Sequence, residues 1–201
     1  MSRYTGPRNK LSRKIGEDLG LKSNSLKLTR RLSIRPGQHG AKGHRKLSDF
    51  GVQLKEKQKM RFIYGITETQ LSKLYGKASS SALATGELLM SMLERRLDNV
   101  IYRLGWANTR AAARQLVSHG HIMINGRKMD IPSYQAKVED VINLTMNATK
   151  IPFIAEALKS ENAIPEWLEK KQAAAKIARL PQRKDVTEVI EEQLVIEYYS
   201  R

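Results

Sequence analysis

The sequence predicts an α+β fold that is mostly α: a helical domain beside a small two-helix and β-hairpin module, preceded by a basic extended N-terminal arm. Three observations carry this. Leu89, Leu93, Leu97, Val100 and Leu104 recur at spacings of three and four, the mark of a helix with one buried face. Ile122 and Ile124 alternate into Asn125-Gly126, a strong signal for a two-residue hairpin turn. Before Lys46 there is little apolar periodicity, and Lys and Arg alternate with Gly, Ser, Pro and His. Such a segment buries too little apolar surface to offset its ordering entropy, so residues 1–46 are expected to order only against a polyanion.

The elements follow in order. Pro36 to Gly40 mark a turn within the arm. From Ser48 to Ala78 the pattern is helical: Leu54, Met60 and Ile63 sit among Lys55, Lys57, Lys59 and Arg61 as one basic helix. Thr67 with Gln70 forms a capping box for a helix through Leu71, Leu74 and Tyr75. Residues 76–86 read as a linker, so a helical domain spans 47–86, completed by 181–201. A second module spans 87–150. Its first helix runs from near Gly86 to Gly105, with Arg95, Asn99 and Arg103 four apart on a polar face. Asn108 or Thr109 caps the next helix, with Ala112, Leu116 and Val117 inward and Arg110 and Arg114 outward. Gly120 supplies the left-handed stop. After the hairpin and the loop at Pro132 to Tyr134 comes a strand from Val141 to Leu144. Residues 151–180 are expected to be helical, with helices over 152–158 and 165–179. Asp185 caps a last helix through Ile190, and Leu194 to Tyr199 reads as a strand.

Composition narrows the function. The chain has 201 residues, a net charge of +16 and a pI near 10.1, which implies a polyanionic partner, because clustered cations gain free energy by releasing counterions from phosphates. The charge is uneven. Residues 1–60 hold 16 Lys and Arg against 4 Asp and Glu, residues 61–150 hold 12 against 7, and residues 151–201 hold 8 against 9. The first third is therefore expected to lie against nucleic acid and the last quarter to face protein or solvent. No apolar run approaches the roughly 20 residues that span a bilayer, and the N-terminus lacks the apolar core of a secretory signal. With no cysteine, disulfides and thiolate zinc sites are excluded. A soluble cytoplasmic protein without cofactor, metal or membrane partner is expected.

The candidate chemistry is binding. Arg95, Arg103, Arg110 and Arg114, with Arg127 and Lys128 on the hairpin, place cations at helical spacing beside a tight turn. Arginine's planar fork grips phosphate oxygens bidentately and stacks on bases, which suits irregular RNA junctions. Arg3, Arg8, Lys10, Arg13 and Lys14 would hold a second side, and Lys55 and Lys59 are further candidate RNA contacts. His119 and His121 flank Gly120 without a carboxylate or thiol at ligand spacing, so contact with ribose or phosphate suits them better than a metal; His39 and His44 in the arm read alike. Arg96-Leu97-Asp98 is similar to the tripeptide that carries the catalytic Asp of pseudouridine synthases. Here it lies inside an amphipathic helix, where Asp98 is expected to pair locally with an Arg or the backbone. No nucleophile elbow, phosphate-cradling loop or paired-carboxylate cleft appears. An RNA-modifying enzyme and a free RNA chaperone stand as alternatives to a structural RNA binder.

Two stretches carry a resemblance: Glu94 to Gly105 (ERRLDNVIYRLG) and Thr109 to Ile122 (TRAAARQLVSHGHI). They resemble the RNA-binding module named after the fourth protein of the bacterial small ribosomal subunit, which tyrosyl-tRNA synthetases, pseudouridine synthases and heat-shock ribosome-binding proteins share. Met1 to Pro7, Arg35 to Gly40, Ser48 to Lys59, Tyr64-Gly65 and Glu197 to Arg201 are similar to signatures of that ribosomal protein family itself. The resemblance covers nearly the whole chain. It implies a non-enzymatic primary binder of 16S ribosomal RNA, monomeric within the ribosome, that nucleates assembly of the 30S body. It implies ribosomal proteins five and twelve as neighbours and an effect on translational accuracy through protein five, and we expect the protein-facing surface at Glu188, Glu191 and Glu192. It also implies that Lys42, Arg45 and Lys46 line the path by which messenger RNA enters and help to unwind it. Asn9 and Ser12 stand where zinc-binding relatives carry cysteines, so this is the metal-free type.

Overall fold

A computed structural model of the chain describes residues 4–22, 24, 26–40, 46–159 and 164–201. In chain order the elements are α1 (Arg8–Ile15), α2 (Leu26–Thr29), α3 (Asp49–Tyr64), α4 (Glu68–Ser79), α5 (Thr85–Glu94), α6 (Leu97–Arg103), α7 (Arg110–Ser118), β1 (Ile122–Ile124), β2 (Arg127–Met129), β3 (Val141–Leu144), α8 (Met146–Thr149), α9 (Pro152–Lys159), β4 (Leu168–Lys171), β5 (Ala174–Ile177) and α10 (Glu192–Tyr199). The α+β, mostly helical expectation holds. The chain divides into two compact units, residues 1–89 with 188–201, and residues 90–187.

In the first unit the arm is not wholly extended, as its lack of periodicity suggested. Pro7 precedes α1 and Gly16 closes it at φ 88°. The apolar residues that anchor this segment, Ile15, Leu19 and Leu28, are buried but too scattered along the chain to register as a period. Ser48 caps α3, its hydroxyl accepting from the Gly51 N–H, and the Thr67–Gln70 capping box of α4 forms in both directions. Residues 194–199 form a helix, which corrects the expected strand. Val195 is buried, Tyr198 packs on Phe50 with ring centroids 5.6 Å apart, and Tyr199 stacks on Tyr75 at 4.7 Å. Contacts with α3 and α4 thus override the β preference of the Leu-Val-Ile and Tyr-Tyr run.

In the second unit the helix expected to run through to Gly105 is broken. Helix α5 ends at Glu94, and α6 starts at Leu97 with Arg96 in extended conformation. The backbone there is diverted into long-range pairing: the N–H groups of Leu97 and Asp98 donate to the carbonyls of Tyr134 and Pro132, and Ala136 N–H donates to the Arg95 carbonyl. The apolar spacing survives the bend, since Leu93, Leu97, Val100 and Leu104 are all fully buried.

The sheet has the antiparallel order β2-β1-β3-β5-β4. Its first hairpin turns at Asn125 (φ 50°) and Gly126 (φ 79°), the left-handed pair that a two-residue turn requires. Residues 165–179, expected as a helix, form the β4–β5 hairpin, with Leu168 opposite Ile177 and Ala175 opposite Ile142. Buried Ala175 and Ile177 alternate with more exposed Ala174 and Lys176, and pairing to β3 overrides the helix preference of the Ala-rich run. The expected helix from Asp185 is a short 3-10 turn at Arg183–Asp185. Helices α6 and α7 cover the sheet over Val100, Leu104, Leu116, Val117, Ile122, Ile142 and the two tryptophans, Trp106 and Trp167.

Candidate nucleic-acid interface

The arginines of the second unit are tied to one another by acids and amides that charge counting overlooked. Glu94 is fully buried, and Arg103 grips its carboxylate with both Nε and Nη2, at 2.9 and 2.8 Å. Asn99 donates to the same carboxylate at 2.8 Å and accepts from Arg110 Nε at 2.8 Å. The Arg110 guanidinium lies over the Tyr102 ring, 4.4 Å from its centroid. Arg103 also donates to the Thr187 hydroxyl at 2.9 Å. A second cluster surrounds Asp98, held by Arg96 at 3.1 and 2.8 Å and by Arg114 at 3.5 Å. Asp98 pairs with arginine, as expected of it.

These geometries correct the picture of one outward arginine face. Arg114 is buried with its chain directed at Asp98, and Asn99 is buried rather than displayed. The break at Arg95–Arg96 removes the shared helix face altogether. Arg95 is half-buried and donates from Nε to the Ala136 carbonyl at 2.9 Å. Arg103 and Arg114 therefore build the platform, whereas Arg127 and Lys128 stand exposed on edge strand β2.

The hairpin that carries them is set from below. Asp140, buried, accepts from the Asn125 amide at 2.9 Å, from the Tyr134 hydroxyl at 3.1 Å and from the Lys137 N–H at 2.8 Å. The Asn125 carbonyl oxygen in turn accepts from the Val141 N–H at 2.9 Å. Burial and the hydrogen bond to Asp140 push the Tyr134 phenol above its usual pKa range. Sequence reasoning missed Asp140, Glu94 and Asn99; an acid immediately before a strand was the available signal for the first. At the end of α7, Gly120 adopts φ 70° and the Lys128 stem runs directly against it. His119 is exposed, His121 is half-buried, and their ring centroids are 6.2 Å apart.

In the first unit, Lys10 and Lys14 are exposed on α1. Arg13 instead fastens the arm, donating to the carbonyls of Ile34 at 2.9 Å and Arg35 at 3.2 Å, and Arg8 reaches the Leu21 carbonyl at 3.4 Å. Lys55 is half-buried. Lys59, expected as an RNA contact, is buried in ion pairs with Glu17 at 2.7 Å and Glu56 at 3.5 Å. Burial alone would pull its pKa down, but these pairs hold it above the ordinary lysine value. Lys46 is exposed; Arg3, Lys42, His44 and Arg45 lie outside the described residues. On the acidic side, Glu191 is exposed and Glu188 and Glu192 are half-buried. Among the described residues no three His, Asp or Glu side chains gather at metal-binding distance, and no helix is long and apolar enough to cross a membrane.

Fold and surface together define a class: an α+β protein in which buried Glu94 and Asp98 position arginines while Lys10, Lys14, Arg127 and Lys128 are exposed. The comparisons then specify it. The model of the ribosomal protein S4/S9 N-terminal domain matches residues 3–94, and that of the S4 domain matches residues 95–142. The chain is 50% identical over 211 residues to small ribosomal subunit protein uS4 of Herpetosiphon aurantiacus, and 46% identical over 206 residues to that of Akkermansia muciniphila, covering 100% of both chains in each case. It is 48% identical over 205 residues to the uS4 of Methylobacillus flagellatus, covering 100% of this chain and 98% of that one. The chain belongs to the small ribosomal subunit protein uS4 family.

Proposed function

We propose that this chain is a structural, non-enzymatic constituent of the small ribosomal subunit in the cytoplasm, and that it binds 16S ribosomal RNA directly. The observation that carries the reading is the end-to-end likeness to proteins named for that subunit. The charge distribution supports it: exposed Lys10 and Lys14 in one unit, and exposed Arg127 and Lys128 in the other. Arg95, Arg110, His119, His121 and Lys55 complete the RNA-facing set. Arg8, Arg13, Lys59, Arg103 and Arg114 serve it chiefly by holding the surfaces in shape. On this reading the protein nucleates assembly of the subunit body as a monomer and neighbours ribosomal proteins five and twelve. It touches protein five through Glu188, Glu191 and Glu192, and thereby affects accuracy. Arg3 joins the arm's RNA contacts, while Lys42, Arg45 and Lys46 face the incoming messenger RNA.

The test is sedimentation of the native protein through a gradient at moderate salt. Co-migration with 30S particles supports the reading, and a protein that stays at the top of the gradient refutes it. The rival reading, a uridine-modifying enzyme, requires Asp98 to be open to substrate. Asp98 is buried, with its carboxylate directed at Arg96 and Arg114, which disfavours it.

A further inference from the structure

Between α7, the corner into β1 and the start of α9 lies a notch of about 170 Å³. Gln115 and Leu116 of α7 form one wall, His119 and His121 the second, and Ile151 with Phe153 the third. A cavity of roughly 150 Å³ is enough to admit a benzene ring, so the notch accommodates one flat heterocycle. Its lining suits that shape. Phe153 is 38% exposed although the next residue, Ile154, is fully buried. The two imidazoles are 6.2 Å apart and inclined at 45°, a tilted pair whose faces are not parallel, so that a ring can lie against either. Leu116 and Ile151 supply an apolar floor, and the exposed Gln115 supplies an amide that can donate and accept at the rim.

The charge selects among flat ligands. The Lys128 stem lies against Gly120, the residue between the two histidines, so closely that a Cβ there would overlap Lys128 Cε. Lys128 thus packs on the residue that joins the two notch histidines, and no carboxylate lines the notch. An aromatic side chain of a partner protein could fill the same space, but only a nucleotide also brings a phosphate to a hairpin whose Arg127 and Lys128 are exposed.

We propose that this notch captures one unstacked base of an RNA junction or single strand, with the ring against Phe153 and His119, its polar edge at Gln115, and its phosphate on Lys128 Nζ. The inference rests on the RNA-binding reading and deepens it, because RNA is held here by a base and not by backbone charge alone.

The chain has four histidines, so their Cε1–H resonances can be followed individually in the full-length protein. The protein is titrated with a riboadenylate hexamer and with an abasic hexamer of equal charge. The adenylate hexamer is expected to move the His119 and His121 signals upfield through its ring current, and the abasic one is not. Phe153→Ala should weaken the adenylate hexamer about five- to tenfold, on the scale of one base stacked on an aromatic side chain, and leave the abasic hexamer unchanged. His119→Gln, at an exposed position, gives the same reading without touching the apolar floor. Equal shifts from both hexamers, or unchanged adenylate binding in both variants, overturns the proposal in favour of phosphate contact or a protein occupant. If a 16S junction transcript binds but neither ring responds, the notch proposal fails while RNA binding stands. If nothing binds, including the transcript, the RNA-binding reading falls and takes the notch with it.

Discussion

Replacing Arg103 with Gln separates a structural arginine from an RNA-binding one. In the native protein the Arg103 side chain is 7% exposed and clamps a Glu94 carboxylate that is fully buried. The substitution removes the bidentate cation from that carboxylate. Removing one partner of a buried ion pair typically costs about 3–5 kcal/mol, because the remaining charge stays desolvated and uncompensated. With a urea slope of roughly 2 kcal/mol per molar, a 3 kcal/mol loss lowers the unfolding midpoint by about 1.5 M. The double variant Glu94→Gln, Arg103→Met should recover most of that loss, since a buried pair replaced as a whole is often close to neutral. The assay is urea unfolding followed by far-ultraviolet circular dichroism, in parallel with binding of a 16S junction transcript measured across salt. Arg103→Gln should retain the salt slope of the parent under conditions where it remains folded. A variant that unfolds at the parental midpoint but loses about 0.9 from that slope would refute the structural assignment and return Arg103 to the phosphate contacts.

Other substitutions read the remaining features. Arg127→Gln and Lys128→Gln, both exposed, should leave the unfolding midpoint unchanged within about 0.5 kcal/mol and each lower the salt slope of transcript binding by about 0.7–0.9. Gly126→Ala forces a side chain into φ 79°, so it should destabilise the second unit by about 1 kcal/mol and weaken RNA binding by misplacing Arg127; an unchanged thermal midpoint would contradict this. Asp185 has its pKa held below the ordinary aspartate range, chiefly by the Arg179 hydrogen bond against the opposing effect of burial, and also by the Gln182 N–H. Because the folded value lies below the unfolded one, its contribution is fully present above roughly pH 4 and fades as pH falls through the depressed folded value. Asp185→Asn should therefore be less stable than the parent at pH 7, with the gap closing in acid; a gap independent of pH would rule out the ion pair as its origin.

How much of this was legible in the sequence depended on whether the cause was local. The Asn125-Gly126 turn, the Thr67–Gln70 box and the stop at Gly120 were readable because each is fixed by the φ preference or hydrogen bonding of its own few residues. The break between α5 and α6 was not, because Leu93, Leu97 and Val100 keep their spacing through it. What bends the chain is pairing with residues 132–136, about 40 positions away. The β4–β5 hairpin and α10 failed in opposite directions for one reason: Ala-rich and β-branched runs state weak preferences, and packing on β3 or on α3 decides.

The arginines show the same limit at the level of the site. Counting cations singled out a region of the second unit, yet it treated Arg95, Arg103, Arg110 and Arg114 as equivalent. Glu94 and Asp98 break that equivalence, since a carboxylate buried among arginines spends its charge on fixing two of them in place. Rigid placement has a consequence for binding, because side chains held before the encounter lose less rotamer entropy when RNA arrives. Arg110 illustrates it: one edge is fixed by Asn99 and its face by Tyr102, so the guanidinium is already oriented before any phosphate or base approaches. A basic, 28%-charged sequence explains attraction to a polyanion. The buried acids explain how a basic sequence becomes a surface of defined shape, which the proposed recognition of an irregular RNA junction requires.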